Sequence, residues 1–514
     1  VLVKLLNEST HKVMFVTPKN FSEFAQMASQ GNVIPIAKRI AADLLTPVAA
    51  YLRLQQSNPY CFLLESIEGG EQVARYSFLG VEPNLIIRVR GRTVETIKNG
   101  QVERLPGTLL DALRQYLGHL IPVKPPNLPP FTGGAVGYLS YDMVRWFERI
   151  PNKNPDDLKI DDALLMFFSS ILAFDHVKQQ LIIIVNVFTQ RTDAVSLEEK
   201  YQQALVEIEQ IEQKLSTPLI LPNKNTSYSG QDKLTASFLV RSNFTKEQFE
   251  TAVLRAKEHI KAGDIFQVVL SQRFETNIST PAFQIYRALR MINPSPYMFY
   301  LNMGDMSLVG ASPEMLVRCK DRKLDYRPIA GTRARGVDDI DDALLGEELR
   351  ADEKEVAEHI MLVDLGRNDL GRVSEIGSVE VLDLMSIERY SHVMHMVSKL
   401  RSELRVGNDC FDALVSCFPA GTVSGAPKVR ALEVVDELEP TRRGPYAGAV
   451  MYLDYSGNLD SCIAIRTILV KDSKAYIQAG AGIVADSVPE KEYIETVNKA
   501  RALLKAVEIA EKEL

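Results

Sequence analysis

Nowhere does this sequence carry the ~20 consecutive apolar residues that a membrane-spanning helix needs. Its longest apolar run, 181–185 extended to 188, has the length of a buried strand. A CxxC pair is missing as well: Cys61, Cys319, Cys410, Cys417 and Cys462 stand far apart, which excludes a structural zinc framework and fits a reducing compartment. The start shows no basic region leading into an apolar stretch and a small-residue cleavage site, so a cytoplasmic location is expected. There is no basic excess either, and a net charge of −7 does not supply the field that nucleic acid requires. Short-period repeats and low-complexity tracts are absent, which excludes a solenoid.

What is present has a globular composition, with 46% hydrophobic and 24% charged residues. At 514 residues the chain exceeds one ordinary core, so two domains or one large α+β body are expected. From about 51 to 188 it is strand-rich, with β-branched and aromatic runs at 85–89, 163–174 and 181–188. Apolar spacing of three and four predicts a helix over 197–214, and the polar segment 216–233 after it is the best linker candidate. Beyond 243, helical patterns at 246–262, 281–291, 341–365, 409–417, 428–438 and 489–507 alternate with extended runs at 266–274, 447–453, 462–470 and 474–479. The chain is thereby divided into an N-terminal portion, 1–220, and a C-terminal portion, 221–514, unless the linker is a loop within one body.

Two helical stretches carry paired carboxylates. Glu355 and Glu358 stand three apart, as do Glu492 and Glu495, so each pair shares one helix face. If the two helices meet, the pairs hold one Mg²⁺, a hard cation that takes oxygen ligands and leaves positions for water or an anionic substrate. Taken singly, each pair reads more simply as a solvated acidic face.

Segment 418–428, Phe-Pro-Ala-Gly-Thr-Val-Ser-Gly-Ala-Pro-Lys, precedes a helix, where exposed backbone N–H groups favour an anion. Segment 478–484, Gln-Ala-Gly-Ala-Gly-Ile-Val, repeats the theme after a strand, with Gly480 and Gly482 open to close approach. It is not a dinucleotide fingerprint, since Ala485 stands where the third glycine belongs. Arg466 falls in an apolar run expected to be a buried or half-buried strand; its guanidinium needs an anion there, either a structural carboxylate or a ligand's. Tyr446 and Thr422 are candidate neutral donors to the same anion. Thr332 reads as turn chemistry, and His395, in an apolar run, reads first as a hydrogen-bonded core histidine.

Several stretches together resemble the chorismate-utilising family of anthranilate, aminodeoxychorismate, isochorismate and salicylate synthases. They are Gly263-Asp-Ile-Phe-Gln-Val-Val, Ala311-Ser-Pro-Glu, Pro328-Ile-Ala-Gly-Thr, Ala357-Glu-His-Ile-Met-Leu-Val-Asp-Leu and Val393-Met-His-Met-Val-Ser, with the two glycine segments and 492–498. A weaker likeness covers 63–66, 75–80 and 131–138. The resemblance implies an α+β fold, an antiparallel β-sandwich core with flanking helices and a site between sheet and helices. It implies that Glu358 and Glu495 ligate Mg²⁺, supported by Glu355 and Glu492, and that the metal grips the ring carboxylate of chorismate. Tyr446, Arg466 and the backbone around Gly480 and Gly482 then hold the enolpyruvyl carboxylate, with Thr422 nearby. Glu314 matches the general acid for the departing ring hydroxyl, a task that needs a raised pKa. His395 matches the histidine associated with pyruvate loss, and Gly331 and Thr332 the pocket floor.

Two positions discriminate within the family. Relatives that add water carry a lysine base where this chain has Gln267; glutamine is too weak a base, and ammonia needs no such help. Aminodeoxychorismate synthases carry a nucleophilic lysine where this chain has Ala330, which cannot attack. The resemblance therefore implies direct amination of chorismate and pyruvate elimination to give anthranilate, the first committed step of tryptophan biosynthesis. No cysteine lies in a nucleophile-elbow setting, so ammonia is expected from a separate glutamine amidotransferase subunit or free in solution.

The likeness extends to a tryptophan feedback site at Glu65, Ser66, Pro296, Tyr297 and Met298, which makes 1–220 the regulatory and partner-binding portion and 221–514 the catalytic one. The plain reading of those segments is a hydrophobic strand and a proline turn. Two other functions stay open at this level: an aminase that stops at aminodeoxyisochorismate, and a non-catalytic tryptophan sensor.

Overall fold

Alternation within the apolar runs decides the architecture. In the strand Gln180–Phe188, Ile182 and Ile184 join one buried cluster while Leu181, Ile183, Val185 and Val187 join another. A strand covered on both faces has no polar side, which is why 181–188 reads as one apolar run broken only by the buried Asn186. The strand Tyr297–Met303 does the same, with Phe299 and Leu301 facing inward and Met298 and Tyr300 facing the helices.

The computed structural model describes residues 16–55, 58–66, 75–189, 195–219, 239–390 and 393–514. Most of the linker candidate, 220–233, and the boundary at 220 lie outside the described residues. Those described form two antiparallel sheets, one of 13 strands and one of 12. The sheets pack face to face, Phe62 of the first meeting Phe168 of the second edge-on at 4.8 Å. Helices such as Pro47–Leu54, Ala282–Ile292 and Pro489–Lys512 cover the outer face of the first sheet. Leu109–Leu117 and Cys410–Cys417 cover that of the second. This is the expected α+β sandwich with flanking helices. Both sheets draw strands from either side of position 220: Tyr60–Glu65 pairs with Tyr297–Met303, and Gly134–Leu139 pairs with Ala449–Asp454.

Most predicted elements form within a few residues of their expected bounds, the helix Lys428–Leu438 among them. Several do not. The run 163–174 is two strands, Ala163–Phe168 in the second sheet and Ser170–Asp175 in the first. The run 462–470 is likewise shared between Leu459–Ile463 in the second sheet and Thr467–Lys471 in the first. At each the chain turns a corner of the sandwich, and because both sides are buried, hydropathy carries no mark of the crossing.

The helix expected over 341–365 is also two, Asp339–Ala351 and Glu353–Gly371. Asp352 caps the second, its carboxylate accepting from the backbone N–H groups of Lys354 and Glu355 at 3.1 and 3.2 Å. Segment 478–484 lies largely inside the strand Lys474–Ile483, not beyond it, with Gly480 opposite Ser271 and Gly482 opposite Val269. Segment 418–428 folds as the one-turn helix Gly421–Ser424 and the short strand Gly425–Ala426 against Gln267 and Val268. Gly425 has φ +134°, and a Cβ there would stand 2.2 Å from the Gln267 carbonyl oxygen, so only glycine serves.

Candidate active site

Two neighbouring corners of the sandwich set the site. Glu314 lies where the chain leaves the strand Met306–Ser312 of the first sheet for Met315–Lys320 of the second. Arg466 lies beside it, on the crossing between Leu459–Ile463 and Thr467–Lys471. The corners are bonded to each other: the Ile463 N–H donates to the Glu314 carbonyl at 3.0 Å, the Ala311 N–H to the Arg466 carbonyl at 3.1 Å, and the Ser312 hydroxyl to the Ile463 carbonyl at 2.7 Å. Arg466 is therefore on a corner and not inside a strand, and its φ of +50° is a conformation non-glycine residues adopt at a cost of about 1–3 kcal/mol.

A cavity of about 230 Å³ opens beside these corners. Gln267, Gly480 and Gly482 reach it from two paired strands of the first sheet, and Thr332 and His395 from paired strands of the second. Glu358 comes from the helix Glu353–Gly371, Thr422 from the turn 421–424, and Tyr446, Glu314 and Arg466 complete the wall, with Ala330 on its floor.

Burial pushes the Glu314 carboxyl up to about 8, with the Thr422 hydroxyl and the Lys499 charge opposing. Thr422 Oγ1 acts from nearby only, since no hydrogen bond of ordinary geometry joins it to a described residue. Arg466 pairs with no carboxylate among the described residues; Nη1 makes a single 3.4 Å contact to the Lys499 carbonyl. Burial lowers its pKa, and the nearby Tyr446 is what raises it. Tyr446 is itself pushed up to about 12 by burial against the pull of Arg443 and Arg466, so it remains an O–H donor at neutral pH.

The glycines are needed for space. A Cβ at Gly480 would stand 2.6 Å from the Tyr446 hydroxyl, and one at Gly482 2.7 Å from Gln267 Nε2. Gln267 Nε2 donates to Glu358 Oε1 at 3.1 Å, which leaves the buried Oε1 of Gln267 without a partner among the described residues. Gly331, at φ +69° in a bulge, brings its carbonyl to 3.3 Å from His395 Nδ1, and Thr332 Oγ1 stands 3.0 Å from the same nitrogen. A carbonyl only accepts, so Nδ1 carries the hydrogen and Nε2 is left to accept a proton. Burial, seconded by the Arg466 charge, lowers the His395 pKa against the pull of the Gly331 carbonyl.

The four paired carboxylates are less gathered. Glu358 lines the cavity; burial raises its pKa, the Gln267 amide opposes, and the charges of Glu355 and Glu495 raise it further. Glu355 turns to Arg333 Nη1 at 3.3 Å, and Glu495 to Lys499 Nζ at 2.7 Å. Glu492 is raised by burial and by the Glu495 charge, against the Ser487 hydroxyl. Among the described residues no group of three or more His, Cys, Asp or Glu side chains is assembled to hold a metal.

The family model for chorismate binding enzymes matches residues 99–505. The chain is 49% identical to anthranilate synthase component 1 of Acetivibrio thermocellus, over 94% of this chain and 97% of that protein. It belongs to the anthranilate synthase component 1 family. The Synechocystis sp. relative is 48% identical over 95% and 98% of the two chains. The crystal structure of anthranilate synthase component I from Streptococcus pneumoniae superposes with a TM-score of 0.73 at 37% identity, over 90% of this chain and 99% of that one. The menaquinone-specific isochorismate synthase of Escherichia coli shares the fold, with a TM-score of 0.68 at 20% identity over 98% of each chain.

A second cavity, of about 410 Å³, takes in Glu65, Ser66, Pro296, Tyr297 and Met298 and shares no lining residue with the first. Glu65 is tied down by the Tyr286 hydroxyl at 2.5 Å and Arg290 Nε at 2.9 Å, whereas the buried Ser66 Oγ has no partner among the described residues.

Three contributors escaped the sequence. Lys499 borders the active-site cavity and donates to the Gly480 carbonyl at 2.9 Å, but its spacing of four from Glu495 reads as an ordinary helix-surface pair. The fully buried pair Arg443 and Glu439 braces the wall from behind, Arg443 donating to the carbonyls of Val423 and Val269 at 2.7 Å each. It too has surface-pair spacing.

Proposed function

We propose that the chain is the chorismate-binding subunit of an anthranilate synthase, joining ammonia to chorismate and releasing water, pyruvate and anthranilate. The observation that carries this is a half-buried Arg466 that pairs with no carboxylate among the described residues, facing the same small cavity as a Glu314 whose carboxyl burial pushes up to about 8. Arg466 and the Tyr446 hydroxyl are suited to one carboxylate of a dianion. Mg²⁺ suits the other end: Glu358 carries more negative neighbours than positive ones, and this ion is generally held through one or two carboxylates with water and ligand oxygens completing its shell. Glu358 and Glu495 would hold it, with Glu355 and Glu492 behind them, and once bound it supplies Lewis-acid attraction for the ring carboxylate.

In the amination the nitrogen lone pair forms a bond to a ring carbon, the ring double bond shifts, and the ring hydroxyl leaves as water with the Glu314 proton; the new ammonium group then gives up one proton, leaving the amine and restoring the Glu314 carboxyl. Gln267 contributes no base to this step and needs none. A ring C–H proton then passes to His395 Nε2 as the C–O bond to the enolpyruvyl group breaks; the C–H electron pair completes the aromatic ring, and the departing enolate takes up one proton to become pyruvate while His395 gives one up. Gly331 and Thr332 keep His395 in the tautomer this requires. Ammonia comes from a glutamine amidotransferase subunit, and the second cavity binds tryptophan as a feedback inhibitor, with Ser66 Oγ free to bond it.

The test is to mix the chain with chorismate, Mg²⁺ and an ammonium salt and to follow anthranilate fluorescence. Signal that disappears with a chelator and returns with Mg²⁺ is expected. Accumulation of an aminated, pyruvate-bearing product would identify an aminase, and tryptophan binding without turnover at any ammonia concentration would identify a sensor.

A further inference from the structure

Outside the active-site cavity, one face of the helix Pro489–Lys512 borders a separate cleft of about 370 Å³. Lys491, Ile494, Glu495 and Asn498, at spacings of three and four, form that face, and Arg466 and Lys499 close the cleft on its inner side. Arg466 and Lys499 also line the inner cavity, so the two spaces meet at side chains they share. The cleft holds three cations, Arg466, Lys491 and Lys499, against one carboxylate, Glu495, and that carboxylate is already paired with Lys499 at 2.7 Å. Lys491 is exposed and makes no ion pair or hydrogen bond with a described residue, although Glu490 and Glu492 flank it. In a chain of net charge −7, a cleft of positive sign leading to a guanidinium that pairs with no described carboxylate is a local reversal of the overall field.

We propose that this cleft is the entrance by which the doubly charged substrate reaches the cavity, and that Lys491 is a steering residue for it. Lys491 lines the cleft without lining the cavity, so it acts through space on the incoming dianion and not on the reacting atoms. A low-dielectric cleft of one sign concentrates field lines and raises the local population of the opposite charge. The inference rests on the proposed reading of the substrate as a dianion.

Lys491→Gln and Lys491→Glu are compared with the unsubstituted chain in saturating ammonium and Mg²⁺, with chorismate varied over a series of ionic strengths. At low salt kcat/KM for chorismate is expected to fall about three- to fivefold in the first variant and about tenfold or more in the second. Unchanged kcat and KM for ammonium are expected, and the differences should close as salt shortens the Debye length to ~3 Å near 1 M. Lys98→Gln, on a hairpin at the far edge of the second sheet, makes the same change in net charge and should behave like the unsubstituted chain. Equal kcat/KM in Lys491→Gln at low salt, an effect on kcat alone, or an equal loss in Lys98→Gln overturns the entrance while leaving the proposed reaction standing. Absence of chorismate turnover in the unsubstituted chain overturns both.

Discussion

Glu314, buried, and Arg466, half-buried, show how differently two ionisable side chains behave beside one cavity. A carboxyl raised to about 8 is protonated below that pH, so a step that needs its proton runs at full strength below about 8 and weakens above it. Replacing Glu314 with Gln should lower kcat by about 10²- to 10⁴-fold and abolish the alkaline fall in a pH–rate profile. Arg466 has no ion pair with a described carboxylate to lose, so Arg466→Gln should leave the thermal midpoint unchanged or higher, while KM for chorismate rises about 10- to 100-fold. A fall in midpoint would mean that the guanidinium serves the fold. The residue types and their order along the chain were legible beforehand, and so was the alternative at Arg466. What decided it was that no described carboxylate forms an ion pair with it, although Glu358 and Glu495 line the spaces it faces, a fact about side-chain placement on elements that only the fold brings together. Lys499 was not legible because a lysine four residues from a glutamate is the commonest of helix-surface patterns.

At the scale of elements, corners and glycines place the chemistry. Ala163–Phe168 and Ser170–Asp175, and likewise Leu459–Ile463 and Thr467–Lys471, belong to different sheets, and periodicity joined them because each run is buried on both sides of its corner. The segment 478–484 was set apart from its strand for the opposite reason: alanine and glycine leave no alternation to read, while the backbone ladder with Gln267–Asn277 continues regardless. Gly480→Ala tests what that bareness is for. Its Cβ would stand 2.6 Å from the Tyr446 hydroxyl and 2.9 Å from the Leu270 carbonyl oxygen, so a stability loss of about 1–3 kcal/mol and a raised KM for chorismate are expected, measured by urea titration and steady-state kinetics. Normal KM with lost stability would separate packing from binding.

Across the whole molecule, the layer between the sheets carries cohesion, and two cavities lie apart from each other. Phe299 is fully buried in that layer, covering Gly310, where a Cβ would fall 2.0 Å from its ring. Phe299→Ala should cost about 3–5 kcal/mol by denaturant titration with the active-site residues unaltered. Cys462 borders the second cavity while the next residue, Ile463, bonds to Glu314, so the two sites lie on either side of one corner. If tryptophan weakens chorismate binding, chorismate must weaken tryptophan binding by the same factor; calorimetric titration of tryptophan with and without chorismate reads that factor, and unequal values would exclude a simple two-site linkage.

The sequence by itself determined the α+β composition, the double-sided burial of strands such as 181–188, and the identity and order of the reactive side chains, because those follow from local periodicity and side-chain chemistry. Tertiary structure alone decided which of them share a cavity, where strands change sheets, that burial pushes the Glu314 carboxyl up to about 8, and that Arg466 pairs with no carboxylate among the described residues. Those properties are set by desolvation and by distances between residues remote in the chain, which no local pattern encodes.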